Sequence, residues 1–212
     1  MKIAGVVLAG GQSRRMGGGD KCLRPLARRP ILDHILERAR PQVTMLAINA
    51  NGDAGRFARF GLPIVPDAIA DFAGPLAGIS AGLDWAAAQD ADCSHLASFA
   101  SDAPFLPRDL VARLLQALAD GEHDLACAAS SGRAHPVFGL WPLRLRHDLR
   151  EAVIGGVRKV DAWTGRYRLA TVDFAAQPLD PFFNTNRPED LLEAERLAPL
   201  AASLDVVTST RR

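Results

Sequence analysis

LAGGQSRRMGGGDK, residues 8 to 21, follows directly on the apolar run Ile3 to Leu8 and joins two glycine clusters to two arginines and a lysine. A buried strand that ends in Gly10 and Gly11 can turn sharply, because glycine lacks a Cβ and reaches positive φ at little cost. Successive bare N–H groups then form a concavity suited to phosphate. Arg14, Arg15 and Lys21 add positive charge, the guanidinium as a fork and the ammonium as a point charge. A polyphosphate is the natural guest, and the competing reading is a surface turn whose basic residues are simply solvated. Position favours the first, since ligands of open α/β sheets lie beyond the carboxyl ends of the strands. The stretch contains neither GxxxxGK followed by Ser or Thr nor GxGxxG, which argues against a P-loop NTPase and against an NAD-dependent oxidoreductase.

On either side of this stretch, strand-like and helix-like segments alternate, as in a mainly parallel sheet covered by helices. Strands are expected over Lys2 to Leu8, Met45 to Ile48, Pro63 to Val65 and His95 to Ala100. Helices are expected from Pro30 to just before Pro41, over Ala54 to Phe60, from Pro75 to Ala88 and from Pro107 to near Gly121. Past that point the alternation loosens. Leu125 to Ala129 and Val137 to Trp141 read as strands joined by the polar SSGRAHP segment, an antiparallel or mixed addition to the sheet. Leu143 to Ala152 and Val157 to Trp163 look helical, Arg168 to Val172 is a last strand, and Pro188 to Leu197 a last helix. No repeat or linker divides the chain, so residues 1–205 are read as one domain and 206–212 as a flexible tail.

The 212 residues suffice for a substantial core. With 48% apolar and 23% charged residues and a formal net charge of +1, the chain has no general basic field to attract nucleic acid. No apolar stretch approaches the roughly 20 residues of a membrane span. The first apolar run meets Gly10 too early for a signal sequence. Cys22, Cys93 and Cys127 are widely spaced and odd in number, so they are read as buried reduced thiols in a cytoplasmic protein, not as a disulfide framework or zinc site.

Asp102, in SDAP at the tip of a buried strand, is placed to hold a divalent ion against phosphates. Magnesium is the ion expected, because it takes oxygen ligands and is commonly held by one or two carboxylates plus substrate. An aspartate that caps the following turn is the competing reading. Asp67 and Asp71 are weaker candidates of the same kind. His135, in AHPV, faces either the site or the core. Asn184 and Asn186, in FFNTNRPEDL, precede a helix that Pro188 opens, and capping it is their default role. No HExxH or GxSxG is present, which disfavours a zinc enzyme and a serine hydrolase.

Taken in order along nearly the whole chain, these blocks resemble the molybdenum cofactor guanylyltransferase family. LAGGQSRRMGGGDK is similar to its signature loop. INAN at 48 to 51, VPD at 65 to 67, GPLAGI at 74 to 79, SDAPFLP at 101 to 107, HPVFGLW at 135 to 141 and FFNTNRPEDL at 182 to 191 follow at family-like spacing. The resemblance implies the Rossmann-like α/β fold of the nucleotide-diphospho-sugar transferases, a mixed, mainly parallel sheet with helices on both faces. It implies that Leu8, Ala9, Gly10, Gly11, Lys21, Asn49 and Asp67 bind GTP and that Asp102 binds magnesium and nucleotide. Arg15 would lie along the triphosphate, and Asn184 and Asn186 near the pterin. Two departures stand out: Ala103, where threonine or methionine is common, and Arg187, where threonine often precedes the proline.

The activity so implied is attack by the terminal phosphate of molybdopterin, with or without molybdenum, on the α-phosphorus of GTP, with pyrophosphate leaving. Lys21, Arg15 and Asp102 would be the catalytic residues, and cofactor-biosynthesis and molybdoenzyme client proteins the wider partners. Alternatives within the fold are a CTP-dependent cytidylyltransferase or a transferase to a sugar phosphate. A non-catalytic GTP-binding protein that delivers the cofactor is an alternative of another class.

Overall fold

The computed structural model describes residues 1–10, 19–68 and 74–209. Among these residues, seven strands form one sheet in the order β5-β4-β1-β6-β8-β7-β9. The strands are β1 (Lys2–Leu8), β4 (Met45–Asn49), β5 (Ile64–Val65), β6 (Cys93–Ala100), β7 (Leu125–Ser130), β8 (Arg133–Pro142) and β9 (Leu169–Phe174). β1 pairs in parallel with β4 and β6, β4 with β5, and β7 with β9. Only β8 runs against its neighbours, antiparallel to both β6 and β7. The expected mixed, mainly parallel α/β architecture is therefore present.

The residues of β1 alternate between two cores, as a strand's period of two requires. Ile3 and Val7 join one apolar cluster with α1 (Ile31–Ala39), α3 (Leu110–Gln116) and α6 (Pro188–Ser209). Ala4 and Val6 join the other, with α2 (Pro75–Gln89), α4 (Arg146–Ile154) and α5 (Val160–Thr164). Helices therefore cover both faces. α2 starts on Pro75, whose fixed φ suits the first helical position, and buries an unbroken run from Leu76 to Leu83. Its small residues let it lie close against the sheet. A Cβ at Gly82 would come 2.9 Å from Leu96 Cδ2 and 3.1 Å from Val6 Cγ1.

Four local features differ from the sequence expectations. Pro25–Leu26 (β2) and Arg29–Pro30 (β3) make a small hairpin before α1, with Ala27 and Arg28 at positive φ. Residues 54–60 form a 3-10 helix, capped by the Asp53 carboxylate, which accepts from Gly55 N. SSGRAHP is no polar connector. The two strands extend into it and leave a two-residue turn at Ser131 and Gly132, both at positive φ, which matches the twist of a hairpin. The last helix continues past Leu197 and through Pro199 to Ser209. Ser203 donates to the Pro199 carbonyl, and Asp205 is held by Arg38 and Arg108, so tertiary contacts carry the helix across the proline. Residues 210–212 lie outside the described residues.

Candidate active site

With β8 reversed, its first residues lie on the same rim as the carboxyl ends of the other six strands. Leu8 closes β1, Asn49 closes β4, Asp67 follows β5, Asp102 follows β6, Ser130 closes β7 and His135 lies near the start of β8. The chain thus brings its polar blocks to one edge. Lys21 stands at its centre, on a short 3-10 helix that turns on the buried Cys22.

Lys21 Nζ lies 2.7 Å from Asp102 Oδ2 and donates to Asn186 Oδ1 at 2.7 Å. Both charged side chains are largely covered, at 16% and 20% exposure, so the pair is screened less than a surface salt bridge. Asp102 is fixed through its backbone, because fully buried Thr185 donates to its carbonyl from both N (2.9 Å) and Oγ1 (3.1 Å). Among the described residues the Asp102 carboxylate accepts from Lys21 and from no backbone N–H, so Asp102 is no turn cap, and Asn186 is no helix cap. The amides of Asn186 and Arg187 are instead accepted by Asp190, the third residue of α6, which frees the Asn186 side chain for Lys21. Asn184 Oδ1 is shut away from solvent with no donor among the described residues, an unsatisfied acceptor on the same segment.

A second cluster lies on the β4–β5 side. Asn49 is 3% exposed and donates to the Val65 carbonyl (3.0 Å) and to Asp67 Oδ1 (2.8 Å). Asn51 donates to Asp67 Oδ2 and accepts from Asp67 N, both at 2.8 Å. Both oxygens of Asp67 are thus occupied, and they tie the chain after β5 to the end of β4. Ala9 N donates to the Asn49 carbonyl at 2.8 Å, which ties the end of β1 to this cluster. Gly10 is exposed beside it, and a Cβ there would come 3.7 Å from Asn49 Oδ1. Arg56 spans the two clusters: it pairs with Asp20 at 2.5 Å and donates to the Asn51 carbonyl at 2.7 Å.

On the β8–β7 side, His135 contacts Ser130 Oγ through Nε2 at 2.8 Å, and Ser130 donates to Asp180 Oδ1 at 3.0 Å. The imidazole lies 4.6 Å from the Phe182 ring, and burial holds its pKa below the ordinary histidine value. His135 therefore touches both the rim and the core.

The MobA-like NTP transferase domain matches residues 5–170 of the sequence. A molybdenum cofactor guanylyltransferase from Bradyrhizobium is 55% identical over 199 residues, 93% of this chain and 94% of that protein. The chain belongs to the MobA-like NTP transferase family. Solved structures agree on the fold. The molybdopterin-guanine dinucleotide biosynthesis protein A of Archaeoglobus fulgidus superposes with a TM-score of 0.74 at 22% identity, covering 94% of this chain and 99% of that one. A Mycobacterium tuberculosis protein solved in complex with manganese gives 0.65 at 17% identity, covering 92% and 99%.

Of the site residues expected of a MobA-like transferase, the structure places Leu8, Ala9, Gly10, Lys21, Asn49, Asp67, Asp102, Asn184 and Asn186 along one rim. Gly11 and Arg15, with Arg14 and Asp71, lie outside the described residues. The two departures from the family pattern leave these contacts untouched: Ala103 is fully buried behind Asp102, and the Arg187 side chain is exposed beyond Asn186. Sequence reasoning gave no role to Thr185, Asn51, Arg56, Ser130 or Asp180. Thr185 and Asn51 lie inside FFNTN and INAN, but each of the five has a partner well away in sequence: Thr185 on Asp102, Asn51 on Asp67, Arg56 on Asp20, and Ser130 and Asp180 on each other.

Proposed function

We propose that this MobA-like transferase moves the GMP group of GTP onto the terminal phosphate of the molybdenum cofactor. The observation that carries this reading is the Lys21–Asp102 pair, joined by Asn186 and set between a nucleoside-side cluster and the FFNTN segment. In the step, an acceptor phosphate oxygen forms a bond to the α-phosphorus as the bond to the β-phosphate oxygen breaks, and pyrophosphate departs. The acceptor brings its own nucleophile, so the protein's work is alignment and charge stabilisation.

Asn49, Asn51 and Asp67 form a rigid polar patch suited to the nucleoside, and Lys21 is placed to neutralise phosphate oxygens. Arg15, in the glycine loop, is proposed to share that load. The donor set suits magnesium. Oδ1 of Asp102 takes no hydrogen bond among the described residues, Asn186 supplies a second hard oxygen, and magnesium needs few protein ligands when phosphates complete its shell. When bound, the ion would polarise phosphate oxygens. Asp102 would hold it, and Lys21 would then be freed toward the nucleotide.

The buried free thiols Cys22, Cys93 and Cys127 fit a cytosolic setting, and no helix among the described residues is long and apolar enough to cross a membrane. Pyrophosphate release measured with molybdopterin and a panel of nucleotides tests the reading. GTP should support turnover and CTP should not. Turnover with CTP alone would make the protein a cytidylyltransferase, and GTP binding without pyrophosphate release would make it a delivery protein.

A further inference from the structure

The strand order sorts the rim. Asn49 and Asp67 belong to β4 and the chain after β5, Lys21 and Asp102 to the β1–β6 centre, and Ser130 and His135 to β7 and β8 on the far side. If the nucleoside occupies the first side, as the proposed function requires, the acceptor approaches from the far side. β8 neighbours β6, about 5 Å away in the sheet.

The hydrogen-bond balance at Ser130 fixes what His135 can offer there. A carboxylate only accepts, so the single Ser130 hydroxyl proton goes to Asp180 Oδ1, which also accepts from Phe182 N at 2.9 Å. Ser130 Oγ therefore accepts a hydrogen bond from His135 Nε2–H, and the ring is the Nε2–H tautomer. Its other nitrogen, Nδ1, is left as an acceptor and has no hydrogen-bond partner among the described residues. Burial favours the neutral ring, with Asp180 working against that and Arg133 with it. The ring is packed on Phe182, so its plane is fixed. Two residues on, Asn184 Oδ1 is a second acceptor without a donor. The same segment then reaches Thr185 on Asp102 and Asn186 on Lys21. Acceptors without donors beside an aromatic ring suit a flat heterocycle with N–H groups on its edge. A pterin is such a molecule.

We propose that His135 binds the pterin of the acceptor substrate by accepting an N–H hydrogen bond at Nδ1, with Ser130 and Asp180 as positioning residues that set its tautomer. This rests on the proposed transfer to a pterin-bearing phosphate.

Initial rates of pyrophosphate release by the full chain, with GTP or molybdopterin varied, test it. His135→Gln keeps a nitrogen for Ser130 but removes Nδ1. It should raise the KM for molybdopterin about tenfold, the size of one hydrogen bond, and leave the KM for GTP unchanged. His135→Asn puts an oxygen where Nδ1 stood and should return that KM to within about threefold of wild type. Nitrogen NMR of the wild-type ring should show Nε2–H, and Ser130→Ala should mix the tautomers. An unchanged molybdopterin KM in the Gln variant, an equal rise in the GTP KM, or an Nδ1–H ring in the wild type overturns the proposal. If either His135 variant does not fold, the wild-type spectrum and Ser130→Ala decide alone: that variant should raise the KM for molybdopterin and leave the KM for GTP unchanged, and an unchanged molybdopterin KM overturns the proposal. A wild type that turns over GTP with no pterin acceptor at all overturns the proposed function together with this inference, whereas normal wild-type turnover with an indifferent Gln variant overturns only the inference.

Discussion

Gly78 in α2 lies so close to Asn49 that a Cβ there would press into the amide, 2.9 Å from Cγ, and also come 2.8 Å from Leu8 Cδ2. Asn49 is nearly buried and spends its Nδ2 on Val65 and Asp67, so it has no room to retreat. Gly78→Ala should therefore displace Asn49 and weaken GTP binding about tenfold or more. Overpacking at this site should also cost about 1 to 3 kcal/mol of stability. Calorimetric GTP titration and urea unfolding on the same variant check both. Gly82→Ala, on the same helix but against Leu96 and Val6, should cost stability with little change in GTP affinity.

Lys21 and Asp102 meet at the centre of the rim across 81 residues of sequence. Removing a group that stabilises transition-state charge typically costs about 100- to 1000-fold in kcat. Lys21→Ala and Asp102→Asn should each lose activity in that range. The double variant should lose much less than the product of the two, because the groups act as a unit. Turnover of Lys21→Ala within tenfold of wild type would remove this lysine from the chemistry.

Arg56 pairs with Asp20, next to Lys21, and donates to the carbonyl of Asn51, a member of the Asp67 cluster. It also donates to the Asp53 carbonyl, and its guanidinium lies 4.8 Å from the Phe57 ring centroid. A lysine cannot reproduce a guanidinium that donates to two carbonyls at once while it pairs with Asp20. Arg56→Lys should therefore resemble Arg56→Ala, raising the KM for GTP several-fold with kcat largely kept. Full rescue by lysine would show that only charge matters here.

The sequence displayed the strands because each is a short apolar run between glycine, proline and aspartate signals, as with Met45 to Ile48 before Asn49, and most helices because apolar residues recur at helical spacing, as with Ile31, Ile35 and Leu36. It displayed the residues of the rim for the same reason, since loops at strand ends carry the polar blocks. Partner choice was not legible. Asn186 read as a helix cap because its sequence position fits one, yet Asp190 takes that work and Asn186 turns to a lysine 165 residues away. The reach of α6 was hidden likewise. Pro199 signals a stop locally, and the contacts that override it come from Arg38 and Arg108.

Cys22 is buried beside Asp20, and burial, with the carboxylate second, pushes its thiol pKa up to about 12 from an ordinary value near 9. The folded protein keeps the proton where the unfolded chain loses it. Stability from this group is therefore complete below about pH 9 and falls as pH rises from there toward 12. One such group gives a slope of at most about 1.4 kcal/mol per pH unit. Urea unfolding at pH 8, 9 and 10 should show wild type losing stability faster than Cys22→Ala, and parallel losses would mean that the thiol ionises freely when folded.

Arg38 is only 9% exposed, and its guanidinium makes a two-point contact with Asp205, at 2.6 and 3.1 Å, across the body of the domain. Arg108 reaches the same carboxylate at 3.0 Å. Burial alone would lower the Arg38 pKa, and Asp205 is the main group opposing that. Taking the carboxylate away leaves two guanidinium groups close together, one of them buried; because Asp205 is 25% exposed, the loss is about 2 to 4 kcal/mol, below that of a fully buried broken pair. Asp205→Asn should therefore lower the unfolding midpoint and expose the end of α6 to proteolysis near Pro199. The KM for GTP should not move, because the contact lies away from the rim. A variant as stable as wild type would mean that the buried Ala194 and Ala201 hold the helix in place without the ion pair.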